Sequence, residues 1–387
     1  MSQLQSASGS FALERLPKTT KGDLRAWDAA DELLLATLFE DELGNTNENN
    51  KPILIINDSF GALATALYQY PRHSWSDSYL AHLATDENFK LNKLDATDSQ
   101  QPNYLAIPSS ENLQQSYDLV IIKIPKTLGL LEDQLCRLKP RIHAETVIIA
   151  AAMSKHIHTS TLKTFGKIIG TTTTSRATKK SRLVFIKNDN AHIHQSPYPK
   201  TIKEEALQLS LINHANVFAK DKLDIGTRFL IEQLEHCPAS NHIVDLGCGN
   251  GALGIMVGRL QPKAQVYFID ESYAAIASAK ESYALENPAQ KDNDSNAKFY
   301  NSDCFKQFDD TKVDLILCNP PFHQNHSIGD HIAWEMFKQS YDQLQAGGEI
   351  WVIGNRHLAY HIKLKTLFGS CKTVAANKKF VILMAKK

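Results

Sequence analysis

Apolar runs recur along the chain at the spacing of alternating strands and helices. In the first half, Ile53-Leu54-Ile55-Ile56, Tyr117 to Ile124, Thr146 to Ala152 and Arg182 to Lys187 read as strands. Their near-continuous hydrophobicity is that of strands covered on both faces. Residues 25–41 place Ala26, Ala29, Ala30, Leu33, Leu34 and Leu38 at helical spacing, and Gly61 to Leu67 opens a helix of small residues. Residues 1–20 and Gly44 to Asn50 are polar, and the first twenty are expected to be poorly ordered. The pattern lapses from Asn188 to Lys200, where Asn, Asp, His, Gln, Ser and two prolines crowd together, so residues 191–204 are the expected linker. It then resumes. His242 to Leu246, Gln265 to Ile269, Lys298 to Tyr300, Val313 to Cys318 and Glu349 to Ile353 read as strands. Helices are expected from Ala252, over Tyr273 to Leu285, and over Asp330 to Leu344, the last ended by Gly347-Gly348. Lys372 to Ala376 and Phe380 to Ala385 flank a tight connection, which implies an antiparallel hairpin at a sheet edge. The pattern predicts an α/β chain of two tandem doubly wound domains, residues 1–190 and 205–387.

The halves resemble each other. Ile53 to Leu63 lies over Ile243 to Leu253, 190 positions on. Asp77-Ser78-Tyr79 lies over Glu271-Ser272-Tyr273, Asp118 to Ile121 over Asp314 to Leu317, and Ile124-Pro125-Lys126 near Asn319-Pro320-Pro321. A repeat this long is a duplicated domain rather than a solenoid unit. In the first copy Ile55 takes the place of Asp245, Asn57 and Ser59 those of two glycines, and Ile124 that of Asn319. The scaffold is kept and the chemistry is lost.

The second copy carries the chemistry. Asp245-Leu246-Gly247-Cys248-Gly249-Asn250-Gly251 follows a strand and opens a helix, and its glycines permit close backbone approach to a ligand. Gly249 to Gly254 also fits the dinucleotide fingerprint G-x-G-x-x-G. Two features oppose a nicotinamide cofactor: the strand-end acid Asp245 suits a cationic ammonium rather than a pyrophosphate, and the later Asn-Pro-Pro-Phe has no part in hydride transfer. Asp270, ending the next strand, can accept both ribose hydroxyls. Asp303 is either an acceptor for an adenine amine or a simple turn residue. Together these read as a site for S-adenosylmethionine (SAM). After the apolar run Val313 to Cys318 comes Asn319-Pro320-Pro321-Phe322. Two prolines stiffen the turn and leave its carbonyls free to accept; Asn319 adds an amide oxygen and Phe322 a flat apolar face. The set suits a planar ring with an exocyclic amine, though a plain strand-ending turn has the same composition.

Charge adds little. Lys plus Arg and Asp plus Glu number 42 each in 387 residues, so any nucleic-acid surface is local. Two basic stretches stand out: Arg176, Lys179, Lys180, Arg182 and Lys187, and the acid-free segment from Arg356 to Lys387. Six cysteines without paired spacing suit a reduced, cytoplasmic compartment. No membrane-spanning run or signal segment is expected. His323, His326 and His331 lie close together, but no cysteine or acid completes a ligand set, so no metal is expected.

The glycine turn, the acid on the second strand and the Asn-Pro-Pro-Phe after the fourth resemble the amino-methyltransferases. With His323, Leu223-Asp224-Ile225-Gly226-Thr227 and the worn first copy, the chain resembles the ribosomal RNA guanine-N2 methyltransferases. Trp27-Asp28-Ala29-Ala30-Asp31-Glu32, Asn57 to Leu63, Ile157 to Leu162, His214-Ala215-Asn216-Val217-Phe218 and Ala333 to Phe337 extend the likeness through nearly the whole chain, toward the G-type enzymes that act on 23S rRNA. That resemblance implies two Rossmann-like methyltransferase domains, the first degenerate and binding RNA. It implies SAM held by Asp245, Gly247, Cys248, Gly249, Gly251, Asp270, Asp303 and Asn319. Asn319, Pro320 and Phe322 would act on the N2 amine of guanine 1835 in 23S rRNA. The enzymes of the same family that act on 16S rRNA, amino-methyltransferases acting on protein glutamine or DNA adenine, and a non-catalytic RNA chaperone are the competing readings.

Overall fold

The computed structural model describes residues 3–18, 24–40, 51–94, 104–218, 222–288, 296–309, 311–321 and 326–387. The chain divides into two compact units, Met1–Tyr198 and Pro199–Lys387. Each is built on one seven-stranded sheet. In the first unit the strands are β1 (Ile53–Ile56), β2 (Arg72–Ser76), β3 (Tyr104–Pro108), β4 (Leu119–Lys123), β5 (Val147–Met153), β6 (Thr172–Thr174) and β7 (Ser181–Ile186). In the second they are β8 (His242–Leu246), β9 (Gln265–Asp270), β10 (Ala297–Asn301), β11 (Val313–Cys318), β12 (Leu344–Asn355), β13 (Lys372–Ala376) and β14 (Phe380–Lys386).

The spatial orders are β3-β2-β1-β4-β5-β7-β6 and β10-β9-β8-β11-β12-β14-β13, the same path run twice. Five strands in each are parallel; the final pair is antiparallel, the hairpin that the chain end predicts. Alternation within the apolar runs feeds both faces. Ile53, Ile55 and Leu119 join one core layer, and Leu54, Ile56 and Val120 the opposite one. Ile243, Leu315 and Leu317 are likewise opposed to Val244, Leu246 and Ile316 in the second unit. The chain order reverses between β1 and β2 on one side and β4 on the other, and ligand crevices of open sheets form at such a point, beyond the strand ends.

Three expectations need correction, and strand β2 carries no signal that predicts it. Residues 1–20 contain a hairpin, Gln3–Ser6 against Gly9–Ala12, pinned by the buried side chains of Leu4, Phe11 and Leu13. The expected linker 191–204 is partly structured: Lys200–Glu204 pairs with Leu209–Asn213. Its first strand looks polar because a single buried residue, Ile202, sits among Lys200, Thr201, Lys203 and Glu204. Side chains on the helix Tyr273–Glu286 accept from the backbone of the pair, Ile212 N–H to Ser282 Oγ at 2.8 Å and His214 N–H to Ser278 Oγ at 2.9 Å. Strand β2 lacks an apolar signature because it opens on Arg72, whose buried guanidinium donates to the carbonyls of Ala64, Tyr68 and Tyr70. Finally, β12 begins at Leu344, before the two glycines. Gly347 adopts φ 84°, and the pairing with β11 shifts register between Val313 and Leu315.

Candidate active site

The strand ends of β8, β9 and β11 meet at the reversal point. The turn after β8 has three glycines in the left-handed region, Gly247 at φ 72°, Gly249 at 54° and Gly251 at 83°. The N–H groups of Gly247 and Cys248 donate to Ile269 O, at 2.8 and 3.1 Å, which fastens the turn to β9. A side chain added at Gly249 would project into open space, so the turn presents bare backbone to whatever lies above it. Gly254 serves another purpose: a Cβ there would collide with the Phe268 ring at 2.3 Å, so only glycine lets the helix Ala252–Leu260 settle on β9.

The acids are held differently. Asp270 accepts from Gly249 N–H and Ser272 N–H, both at 3.0 Å, and so stands at the rim of the turn. Asp245 is 2% exposed and accepts from Gly254 N–H at 2.8 Å. Burial pushes its carboxyl up to about 8, with Asp270 adding to the rise and the Gly254 N–H opposing it. A cation brought against Asp245 would relieve that penalty, which fits an ammonium partner. Cys248 is buried, and desolvation drives its thiol well above the usual range, so it packs rather than reacts. Asp303 is buried at the end of β10 and ion-paired with Lys306. Asn250, in the turn, donates to Asn213 Oδ1 at 2.9 Å, tying the turn to the hairpin that ends at Asn213; nothing local in the sequence signals this bond.

Beyond β11, the Asn319 amide donates through Nδ2 to Thr227 Oγ1 at 2.9 Å and Asp224 Oδ2 at 3.2 Å. Its Oδ1 is buried and, among the described residues, has no hydrogen-bond partner. An unsatisfied buried acceptor costs about 1–3 kcal/mol, so this oxygen is free to accept from a donor brought to the strand end. Pro320 is buried beside it. Phe322 and His323 lie outside the described residues, as does the side chain of His326. Among the described residues no group of three or more His, Cys, Asp or Glu could hold a metal ion.

The first unit shows what replaced this chemistry. Ile56 pairs with Ile122 as Leu246 pairs with Cys318, so Lys123 stands at the place of Asn319. The sequence match that sets Ile124 there is one residue out of register, because it lays Pro125 on the first of two prolines rather than the second. The same registers set Ser76 against Asp270 and Ser110 against Asp303. Asn57 keeps a left-handed φ of 64° without glycine, and its side chain exchanges hydrogen bonds with Gln134 at 2.8 and 2.9 Å. Asp58 accepts from the N–H groups of Ala62, Leu63 and Ala64 at 2.9–3.1 Å, placing the protein's own carboxylate on the helix N-terminus. In the same unit, Arg176, Lys179, Lys180, Arg182 and Lys187 are all exposed on or beside β7, and of these Lys179 pairs with Glu32.

Seven strands in this order, a glycine turn over a strand-end acid and an acceptor-bearing turn after the fourth strand define a SAM-dependent methyltransferase. Two family models match in succession, the RLMG N-terminal domain over residues 1–190 and the methyltransferase small domain over residues 208–384. Over its full length the chain is 43% identical to ribosomal RNA large subunit methyltransferase G of Pseudoalteromonas translucida, covering 98% of that protein. It is 42% identical to the enzyme of the same name from Yersinia pseudotuberculosis, with all of this chain and 95% of that one covered. The chain therefore belongs to the ribosomal RNA large subunit methyltransferase G family. A T. thermophilus 16S rRNA N2 G1207 methyltransferase, solved with AdoMet and guanosine, shares the fold at a TM-score of 0.74 over 100% of this chain and 97% of its own, with 19% identity.

Proposed function

We propose that this enzyme methylates the exocyclic N2 amine of guanine 1835 in 23S rRNA, using SAM, in the cytoplasm. The observation that carries the reading is the Asn319 amide, its nitrogen tied back to Asp224 and Thr227 and its buried oxygen, among the described residues, unclaimed. SAM supplies a methyl group already activated on a sulfonium, so the protein's task is placement. Asp270 and Asp303 suit the ribose and the adenine, and Asp245, Gly247, Cys248, Gly249 and Gly251 would hold the amino-acid end.

The guanine N2 lone pair is delocalised into its ring and reacts poorly. Asn319 Oδ1 and the Pro320 carbonyl accept the two N2 hydrogens, which favours a pyramidal nitrogen with its lone pair aimed outward. Phe322 stacks on the extruded base, worth about 1–3 kcal/mol. The first unit, whose turn is filled by Asn57 and Asp58 and whose three cofactor acids are absent, grips RNA through the cluster at Arg176 to Lys187. Mass mapping of 23S rRNA from cells lacking the protein tests the reading. The N2-methyl mark at position 1835 should vanish and return with the intact gene but not with Asn319→Ala. A mark that persists in the deletion strain refutes it.

A further inference from the structure

We infer that Asp224 and Thr227 are positioning residues, which hold the Asn319 carboxamide so that its oxygen, not its nitrogen, meets the substrate amine. The inference rests on the reading of Asn319 as an acceptor and adds what enforces it.

A carboxamide has two ends of nearly equal size, and only one can accept. What selects the end is the chemistry of the groups behind it. Asp224 is the N-cap of the helix Ile225–Ile231 and accepts from Thr227 N–H at 2.8 Å. The Thr227 hydroxyl donates to the same carboxylate oxygen at 3.3 Å, so its lone pairs are left for Asn319 Nδ2 at 2.9 Å. Asn319 Nδ2 also reaches Asp224 Oδ2 at 3.2 Å. An ionised carboxylate only accepts, so a flipped amide would set oxygen against Asp224 Oδ2 at that distance, and it could accept from the Thr227 hydroxyl only by taking that proton away from the carboxylate. The nitrogen end is engaged behind the residue, and the oxygen is the end that remains.

The first unit repeats the arrangement with different chemistry. Asp28, Asp31 and Lys123 lie 196 positions before Asp224, Thr227 and Asn319. Asp28 accepts from Ala30 N–H at 2.9 Å at the start of its helix, as Asp224 does. Lys123 Nζ donates to Asp28 Oδ1 at 2.9 Å and to Asp31 Oδ1 at 2.6 Å. In both units a donor at the end of the fourth strand is clamped by the helix cap and the residue three further on. The ammonium has no accepting end to present. An amide in the same clamp does, and this separates the working copy from the worn one.

The test uses the full-length chain with 23S rRNA from a deletion strain, reading kcat, KM, SAM affinity by calorimetry, and melting temperature. Thr227→Val should lower kcat about 10²-fold with SAM affinity unchanged, and Thr227→Ser should restore it. Asp224→Asn keeps a good N-cap and hence the melting temperature, yet should lower kcat about tenfold, because an amide at 224 tolerates either orientation of Asn319. Wild-type kcat in both Asp224→Asn and Thr227→Val would overturn the inference. So would losses that track SAM affinity or melting temperature alone. Asn319→Ala at wild-type kcat would instead refute the acceptor reading, and this inference with it.

Discussion

Lys123 and Asn319 occupy the same place in two sheets of the same strand order, one carrying an ammonium and the other an amide. Each is clamped by the cap of the helix that precedes its sheet. The same clamp thus holds a donor in both units, and of the two only the amide has an oxygen left to accept from an amine.

Asn319→Ala should leave SAM binding intact and lower turnover by about 10²–10³-fold, as when one preorganised hydrogen-bonding group is removed from an active site. Calorimetry with SAM beside single-turnover methylation separates the two effects. Full methylation by the variant would refute the assigned role.

Asp270→Ala should weaken SAM affinity by about 10–100-fold, the loss of charge-assisted bonds worth about 1.5–3 kcal/mol. Asp270 also holds Gly249 N–H, so part of the loss reflects a looser turn. An unchanged affinity in a calorimetric titration would count against the ribose contact.

Asp245 makes stability depend on pH. Its folded value, pushed up to about 8 by burial, lies above the ordinary 3.8. The stabilisation linked to a raised value is complete below pH about 4 and is lost as pH rises through about 8. Asp245→Asn, which still accepts from Gly254 N–H, should abolish that slope. Without SAM its melting temperature should exceed the wild type's most at pH about 8–9 and least at pH about 4–5, while its SAM affinity falls for want of a charge. Parallel melting curves would show that burial of the carboxylate is not felt.

Lys123→Ala should destabilise the first unit by about 3 kcal/mol, because it strands Asp31 as an unpaired buried acid. Burial opposes the Lys123 charge, but Asp31 and Asp28 more than offset it and raise its value. Denaturant titration measures the loss. Methyl transfer per folded molecule should stay at the wild-type level, and a specific kcat defect would give Lys123 a part in catalysis.

The full chain should bind one SAM, and its RNA affinity should fall steeply with salt. Charge reversal at Arg176, Lys180 and Arg182 should flatten that dependence. A second SAM per chain in calorimetry would show that the first unit keeps its cofactor site.

The local motifs were legible from residue order alone. Glycines at 247, 249 and 251, the acid closing β9 and the Asn-Pro-Pro turn each express their chemistry within a few positions, through backbone freedom or the lack of it. The long apolar strands were equally plain, since burial on both faces leaves a continuous run. The short strands were not. Arg72 hides β2 because its charge is satisfied by carbonyls of the helix Ala62–Ala66 and the turn after it, and Lys200–Glu204 hides because alternation over five residues resembles a linker. Register at the end of β4 needed the sheet itself, since a one-residue slip beside a proline leaves the sequence match nearly as good.

Residue order by itself determined the class of fold, the duplication and the inventory of reactive groups. Tertiary structure alone decided how those groups face one another. The bond from Asn319 to Thr227 spans 92 residues, and which end of an amide is free depends on what stands behind it. Hydrogen-bond direction belongs to the partners brought together by folding, and a one-dimensional pattern does not carry it.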